Sequence, residues 1–425
     1  MNAMDLIVVI LILVYLLTLL LAATRAVTMS VAALIGALAT AWFGLQYGVF
    51  TYDQALSFVD FKLLALIIGT MIVVEVAKRG GIFRFGALYA IKLSQGNPIL
   101  LFFAVCISAA AASMFLGDPT AMLLVAAATA TITRFLKYDP MPYFISAAIM
   151  INLGGTSTLI GSISNMIIGV QAGISFTDFI SYLALCEIAL WGLTILALYL
   201  IFRTRLGSKK DVPSYHPWES VENKKFFFLS ISVLALLMLL FLTAENLGVG
   251  PEAIALGCAI VALVLSNINP SKIFRELDWE TVFFISGFMF IVKGLEQTGF
   301  FSSLSTQLFQ MTGGDVLSST LMTLWASGIA SAIVSNTAVA LTFTPIIGGL
   351  GVKSAPLWSA LVLGTNLGGA TTPLSGSVPI LAIGMLKREG LDMNFAEFTK
   401  VGVISSLIQL GFSSLYLVLR FGLLP

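Results

Sequence analysis

Residues 60–83 read D-F-K-L-L-A-L-I-I-G-T-M-I-V-V-E-V-A-K-R-G-G-I-F, and residues 278–301 read D-W-E-T-V-F-F-I-S-G-F-M-F-I-V-K-G-L-E-Q-T-G-F-F. Asp60/Asp278, Ile67/Ile285, Gly69/Gly287, Met71/Met289, Val74/Val292, Gly81/Gly299 and Phe83/Phe301 coincide without a gap at an offset of 218. The same offset pairs Ser113 with Ser331 and Asp118 with Asn336. An offset of 214 pairs N-L-G-G-T-S-T (152–158) with N-L-G-G-A-T-T (366–372). A doubled apolar chain whose copies share polar, glycine-rich interruptions has the pattern of a secondary transporter.

Composition sets the class. The 425 residues are 58% hydrophobic and 10% charged, against about 25% charged in soluble globular proteins. Apolar runs long enough for a roughly 30 Å hydrocarbon core recur along the whole length. The expectation is an all-α polytopic membrane protein with no separate soluble domain. A net charge of +1 gives no reason to expect a nucleic-acid partner. Cys106, Cys186 and Cys258 lie far apart in apolar segments and read as small buried residues. His216, the sole histidine, sits in a polar loop, so neither a histidine metal site nor a catalytic triad is available. The first apolar run, 6–22, lacks a basic flank and matches 226–243 in the second copy, so it reads as a span rather than a signal peptide.

Five spans and one re-entrant hairpin are expected in each half. The first-half spans fall at 4–22, 27–45, 62–78, 142–171 and 179–202; the second-half spans fall at 226–243, 251–266, 280–295, 355–386 and 399–420. The spans 142–171 and 355–386 are broken at the midplane, and the hairpins occupy 98–136 and 318–350. Amphipathic segments at 80–95 and 300–315 lead into the hairpins. The expected division is a first repeat over 1–205, a linker over 206–222 and a second repeat over 223–425. With the polar stretch 203–225 in the cytoplasm, the positive-inside rule leaves only Lys62, Lys293, Lys353 and Arg420 of the 22 basic residues outside. Both termini then face outward. An odd number of spans per half turns the second repeat upside down relative to the first.

Four segments place polar side chains at membrane depth: S-M-F-L-G-D-P-T-A-M (113–122), S-A-I-V-S-N-T-A-V-A (331–340), N-L-G-G-T-S-T-L-I-G-S-I-S-N (152–165) and N-L-G-G-A-T-T-P-L-S-G-S-V-P (366–379). Unwound backbone survives in a bilayer only where protein buries it or where it lines a cavity. Helix N-termini at such breaks suit anions, and freed carbonyls suit cations. Glycine and serine in membrane helices also serve close packing, so the weight rests on four breaks at repeat-related places. Charges at depth are Glu75, Asp118, Glu187 and Lys293. Asp118 is a candidate for a cation or proton, and equally for a helix cap ahead of Pro119. Glu75 and Lys293 read as snorkelling side chains near span ends, and Glu187 as a structural partner on a scaffold helix.

These motifs resemble the ion transporter superfamily, which holds arsenite and sodium–proton permeases, citrate transporters and divalent anion/sodium symporters. Asn152, Gly154, Gly155, Thr156, Thr158, Gly161 and Asn165 match its first broken-span pattern, N-I-G-G-T-A-T-L-I-G-D-P-P-N. Asn366, Gly368, Gly369, Thr372 and Pro373 match the second, and Ser335-Asn336-Thr337 is similar to its hairpin-tip signature. The chain departs from the family at Ser162-Ile163-Ser164, which replaces Asp-Pro-Pro, at Pro379 in place of Asn, and at Gly117-Asp118-Pro119. The resemblance implies a scaffold and a transport domain, a homodimer, elevator-type alternating access and a prokaryotic inner or plasma membrane.

The expected function is secondary transport of a small anion or oxyanion, carboxylate or arsenite-like, coupled to Na⁺ or H⁺ with no other cofactor. Substrate contacts are expected from Thr120, Thr156, Thr158, Asn165, Thr337, Thr371, Thr372 and Ser377. Cation coupling is expected from Ser113, Asp118, Asn152, Gly154, Gly155, Ser335, Asn336, Asn366, Gly368 and Gly369. One Na⁺ would sit at Ser113, Asp118 and Asn152, and another at Ser335, Asn336 and Asn366. No lysine or arginine lies in these motifs, so dipoles, hydroxyls and a co-bound cation would hold the anion. The alternative is a cation/proton antiporter or arsenite efflux permease with Asp118 as proton carrier. An intramembrane aspartyl protease needs two embedded aspartates, and one is visible.

Overall fold

A computed structural model describes residues 3–24, 26–210, 216–350, 355–372, 375, 377–388 and 394–422. Among these, the first half runs α1 (Ala3–Thr24), α2 (Met29–Gln46), α3 (Tyr52–Leu56), α4 (Phe61–Arg79), α5 (Ile82–Ser94), α6 (Pro98–Leu116), α7 (Asp118–Leu136), α8 (Met141–Gly155), α9 (Ile163–Ala172) and α10 (Phe176–Phe202). The second half runs α11 (Lys224–Leu247), α12 (Pro251–Ser266), α13 (Pro270–Glu276), α14 (Trp279–Glu296), α15 (Phe300–Met311), α16 (Val316–Ser331), α17 (Asn336–Gly348), α18 (Ala355–Gly368), α19 (Ser377–Arg388) and α20 (Phe395–Arg420). The order repeats element for element. Eight helices among the described residues are long and apolar enough to cross a membrane.

The coinciding residues of the two copies do the same structural work. Asp60 Oδ1 caps α4 by accepting from the Lys62 amide at 2.9 Å and the Leu63 amide at 3.2 Å, and Asp278 caps α14 by accepting from Thr281 at 3.1 Å. Such caps satisfy N–H groups that the first turn leaves open. Gly81 and Gly299 both take φ +79° just before α5 and α15, a left-handed turn that glycine adopts without a Cβ clash. A Cβ on Gly69 would stand 2.7 Å from the Ala255 carbonyl carbon, and one on Gly287 would stand 2.8 Å from the Ala33 carbonyl carbon. These small residues let backbones approach closely. They seat α4 on α12 and α14 on α2, so the two halves interleave through these helices.

Each hairpin packs on the broken helix of its own half. Gly154 of α8 lies against the backbone of Ala110 on α6, and Gly368 of α18 lies against the backbone of Gly328 on α16. The arms of the first hairpin, 19 residues each, are long enough to span on length alone. Gly117 turns them back beside the helix breaks, where it lines a central cavity.

Two short helices were not anticipated. α3 and α13 precede the capping aspartates at matching places and are too short to carry a hydrophobic period. Their signals are local: a Thr51/Gln54 capping box and an Asn269 cap followed by Pro270. The described part of the linker is pinned to the first hairpin base. Lys210 Nζ donates to Leu136 O at 2.5 Å, and the Tyr138 hydroxyl lies 3.0 Å from Ser208 O. Arg205 bridges Asp139, at 2.7 Å, and Glu397, joining α10 to the starts of α8 and α20.

Candidate functional site

A cavity of about 910 Å³ opens where the two hairpin tips meet the helix breaks and helices α4 and α14. The first tip contributes Phe115–Thr120, and the second contributes Ile333–Thr337. Asn152 of α8, Ser162 and Ile163 of the first break, and Ser375 of the second complete one wall. Thr70, Glu75, Asp278, Glu280 and Thr281 stand on the scaffold side.

The two tips are built alike. Ser113 Oγ donates to Asp118 Oδ1 at 2.8 Å, and Ser331 Oγ lies 2.7 Å from Asn336 Oδ1. Each acceptor faces the second glycine of its break: a Cβ on Gly155 would stand 2.6 Å from Asp118 Oδ1, and one on Gly369 would meet the Asn336 amide. Glycine is required there because the tip side chain occupies the space of a Cβ. Thr158 Oγ1 donates to Met114 O at 2.6 Å, and its counterpart Thr372 donates to Ala332 O at 3.0 Å. These bonds pin each tip to its break.

Amides lock the two breaks together. Asn366 Nδ2 donates to Asn165 Oδ1 and to Val362 O, both at 2.8 Å, while Ser164 Oγ donates to Asn366 Oδ1 at 3.2 Å. Asn165 Nδ2 donates to Gly155 O at 2.9 Å and Thr158 O at 2.8 Å. Asn152 Nδ2 reaches Gly369 O at 3.4 Å, a carbonyl that also accepts from Ser375 Oγ at 2.7 Å.

Thr120, Thr337, Asp118, Asn152, Ser335 and Asn336 therefore face the cavity. Thr156, Thr158, Asn165, Thr371 and Thr372 do not line it. Thr156 donates to Asn152 O at 3.2 Å and Thr371 to Gly368 O at 2.6 Å, so all five use their polar atoms to hold the breaks. Ser113 and Asn366 stand behind the wall, Gly154 and Gly368 serve helix crossing, and Gly155 and Gly369 make room for the tips. The Ser377 side chain lies outside the described residues, as does Pro373. Ser335 is the N-cap of α17, accepting from the Ala338 amide at 3.4 Å, so the hydroxyl partner of Asn336 is Ser331 instead. The offset of 218 had paired Ser331 with Ser113. Ser375 has no polar counterpart in the first break, where Gly161 stands, and the repeat gave no signal for it.

One further expectation changes. Glu75 is not a snorkelling side chain: it is 7% exposed, lines the cavity and pairs with Lys78 and Arg79 at 2.9 Å each. Glu187 reaches the back of the first break, where Oε2 accepts from Ser157 Oγ at 3.3 Å. Among the described residues lining the cavity, five are acidic (Glu75, Asp118, Glu276, Asp278 and Glu280) and none is lysine, arginine or histidine. Glu75 is neutralised by its pairs with Lys78 and Arg79, and the other four acids favour a cation over a bare anion there.

Paired hairpins and paired broken helices that close on a polar cavity, in a chain of membrane-spanning helices, define a membrane transporter. A profile of the citrate transporter family (CitMHS) matches residues 17–364. The chain belongs to that family, within the ion transporter superfamily, and is a secondary transporter rather than an enzyme. An uncharacterized transporter of Mycobacterium tuberculosis is 27% identical over 377 residues, covering 85% of this chain and 87% of the relative. The fold resembles the YdaH transporter of Alcanivorax borkumensis (TM-score 0.57, 17% identity, 99% of each chain). It also resembles MtrF of Neisseria gonorrhoeae (TM-score 0.61, 14% identity, 97% of this chain and 94% of that one), described as illuminating a class of antimetabolite efflux pumps.

Proposed function

We propose that this transporter carries a small anion, a carboxylate first and an arsenite-like oxyanion second, together with Na⁺ or H⁺. What supports the carboxylate is the citrate transporter family match over residues 17–364; what supports the cation is the cavity between two matched tips, with acidic residues and no lysine or arginine among its described lining. An anion binds there only with its charge compensated, which makes the cation part of the bound species. Asp118, Asn152 and the Ser113 hydroxyl form the first cation site. Asn336, Ser335 and the Ser331 hydroxyl form the second, with a neutral amide in place of the carboxylate. Thr120 and Thr337 hold the substrate from the two tips. The dense bonding within the hairpins and breaks supports a moving unit sliding against α4 and α14.

In this proposal the chain is two inverted repeats, 1–205 and 223–425, joined by a linker over 206–222. The stretch 203–225 is cytoplasmic, both termini lie outside, and two copies form the working dimer. The test is uptake of labelled citrate into proteoliposomes under an imposed Na⁺ or pH gradient, with Asn152→Ala and Asn336→Ala. Both variants should lose gradient-driven uptake. Intact uptake in both overturns the site assignment.

A further inference from the structure

One buried carboxylate has no part in the cavity. Glu187 lies near the middle of the 27-residue helix α10 and is 3% exposed. Its Oε2 accepts from Ser157 Oγ, in the turn between α8 and α9, at 3.3 Å. Its Oε1 has no hydrogen-bond partner among the described residues.

The second half shows what the fold itself needs at this place. At an offset of 219 the cap Ser175 matches Asn394, Phe179 matches Phe398, Leu198 matches Leu417 and Glu187 matches Ser406. The offset of 214 that aligns the breaks matches Ser157 with Thr371. The contact then recurs: Thr371 Oγ1 lies 2.9 Å from Ser406 Oγ, which donates to Leu367 O at 2.8 Å. A serine is enough to tie a break to the last helix of its half. The first half has a carboxylate there, with one oxygen unmatched.

Among the described residues, no cation is paired with it. α10 packs on α20, α8, α11, α6 and α18. On α20, Arg420 reaches Ser181 O and Tyr416 donates to Tyr182 O, while Glu397 binds Arg205 at the other end and Lys400 stands near it. Tyr143 of α8 donates to Pro98 O, Cys106 of α6 is buried, and Lys224 and Lys225 open α11. α18 has no titratable residue, and Cys186 is the neighbour on α10 itself. The bonds Tyr416–Tyr182 and Gln409–Thr194 fix an antiparallel register that sets Ser413 level with Glu187. Ser413 Oγ is buried and finds no oxygen or nitrogen partner among the described residues. An ionised carboxylate without a cation is costly in this setting, whereas a neutral acid removes the buried charge and brings an O–H donor to the level of the Ser413 hydroxyl. Intramembrane acids placed so are functional by default.

We propose that Glu187 is a proton-binding site separate from the cavity, and that Ser157 links its protonation to the conformation of the first break. The proposal does not depend on which ion the cavity takes. Infrared spectroscopy of the purified, lipid-reconstituted protein tests it with the proton as the only probe. Wild type and Asp118→Asn should both show a D₂O-sensitive carboxylic acid carbonyl band at neutral pH, and Glu187→Gln should lose it. Ser157→Ala keeps the carboxyl group and should move the band to higher frequency, which also serves if Glu187→Gln does not fold. Survival of the full band in Glu187→Gln, or an unmoved band in Ser157→Ala, overturns the proposal. Loss of the band in Asp118→Asn alone assigns the proton to the cavity and overturns it too.

Discussion

Asp118→Asn is the most informative single change, because the second half of the chain is its control. Ser113 donates to Asp118 at 2.8 Å just as Ser331 meets Asn336 at 2.7 Å. An asparagine at 118 therefore keeps the hydrogen bond and the space beside Gly155, and the fold should hold. Only the charge is lost. An ion about 4 Å from a carboxylate gains about 4 kcal/mol at an effective dielectric near 20. The burial cost of the carboxylate offsets part of that. At about 1.4 kcal/mol per decade, cation affinity should fall by about 10² to 10³. Thermal stabilisation by NaCl, read against choline chloride and repeated as a pH series, measures this directly, since a ligand bound to the native state raises its stability by mass action. Asn336→Asp should change affinity in the opposite direction. An Asp118→Asn protein whose Na⁺ and proton responses stay within about threefold of wild type, on that 1.4 kcal/mol scale, would refute the assignment of Asp118 to the coupling site.

Three further outcomes follow from the packing. Gly69→Ala and Gly287→Ala should each lower unfolding stability by about 1–3 kcal/mol through overpacking, while Gly86→Ala, with open space at its Cβ position, should not; equal melting temperatures across the three would contradict the interleaved scaffold. Thr158→Val leaves Met114 O without its donor, at about 1–3 kcal/mol, so hydrogen exchange over residues 113–120 should quicken, and Thr372→Val should do the same over 331–337. Asn165→Ala removes donors to two buried carbonyls and the acceptor for Asn366; it should cut the yield of folded protein, and a folded variant altered only in substrate KM would restore Asn165 to the substrate site.

The doubling was legible because the residues that coincide are those the fold reuses. Aspartate caps, left-handed glycines and glycine crossings admit few substitutes, so Asp60/Asp278, Gly81/Gly299 and Gly69/Gly287 survived in both copies. What escaped notice lay where spacing alone misleads. Ser335 neighbours Asn336 in sequence, yet the hydroxyl that meets Asn336 is Ser331, one helical turn before the hairpin bend and matched to Ser113 at an offset of 218. The threonines of the breaks read as ligands because they are polar at depth. In the folded chain Thr158 and Thr372 satisfy backbone carbonyls that the hairpin turns leave open, a demand no linear pattern reveals. The equivalence of Glu187 and Ser406 was hidden because loops of different length shift the offset from 214 to 219 between the breaks and the last helices.

Those shifts explain why the asymmetry matters. Once the offsets are corrected, the first half has carboxylates on both sides of its break, Asp118 against Gly155 and Glu187 against Ser157, where the second half has the neutral Asn336 and Ser406. The tip contact and the last-helix contact recur in both halves, so neither contact requires the charge. A feature that the architecture can do without on one side, and that is costly to bury on the other, points to ion chemistry concentrated at the first break. The second break is its uncharged counterpart, tied to it through the Asn366–Asn165 bond.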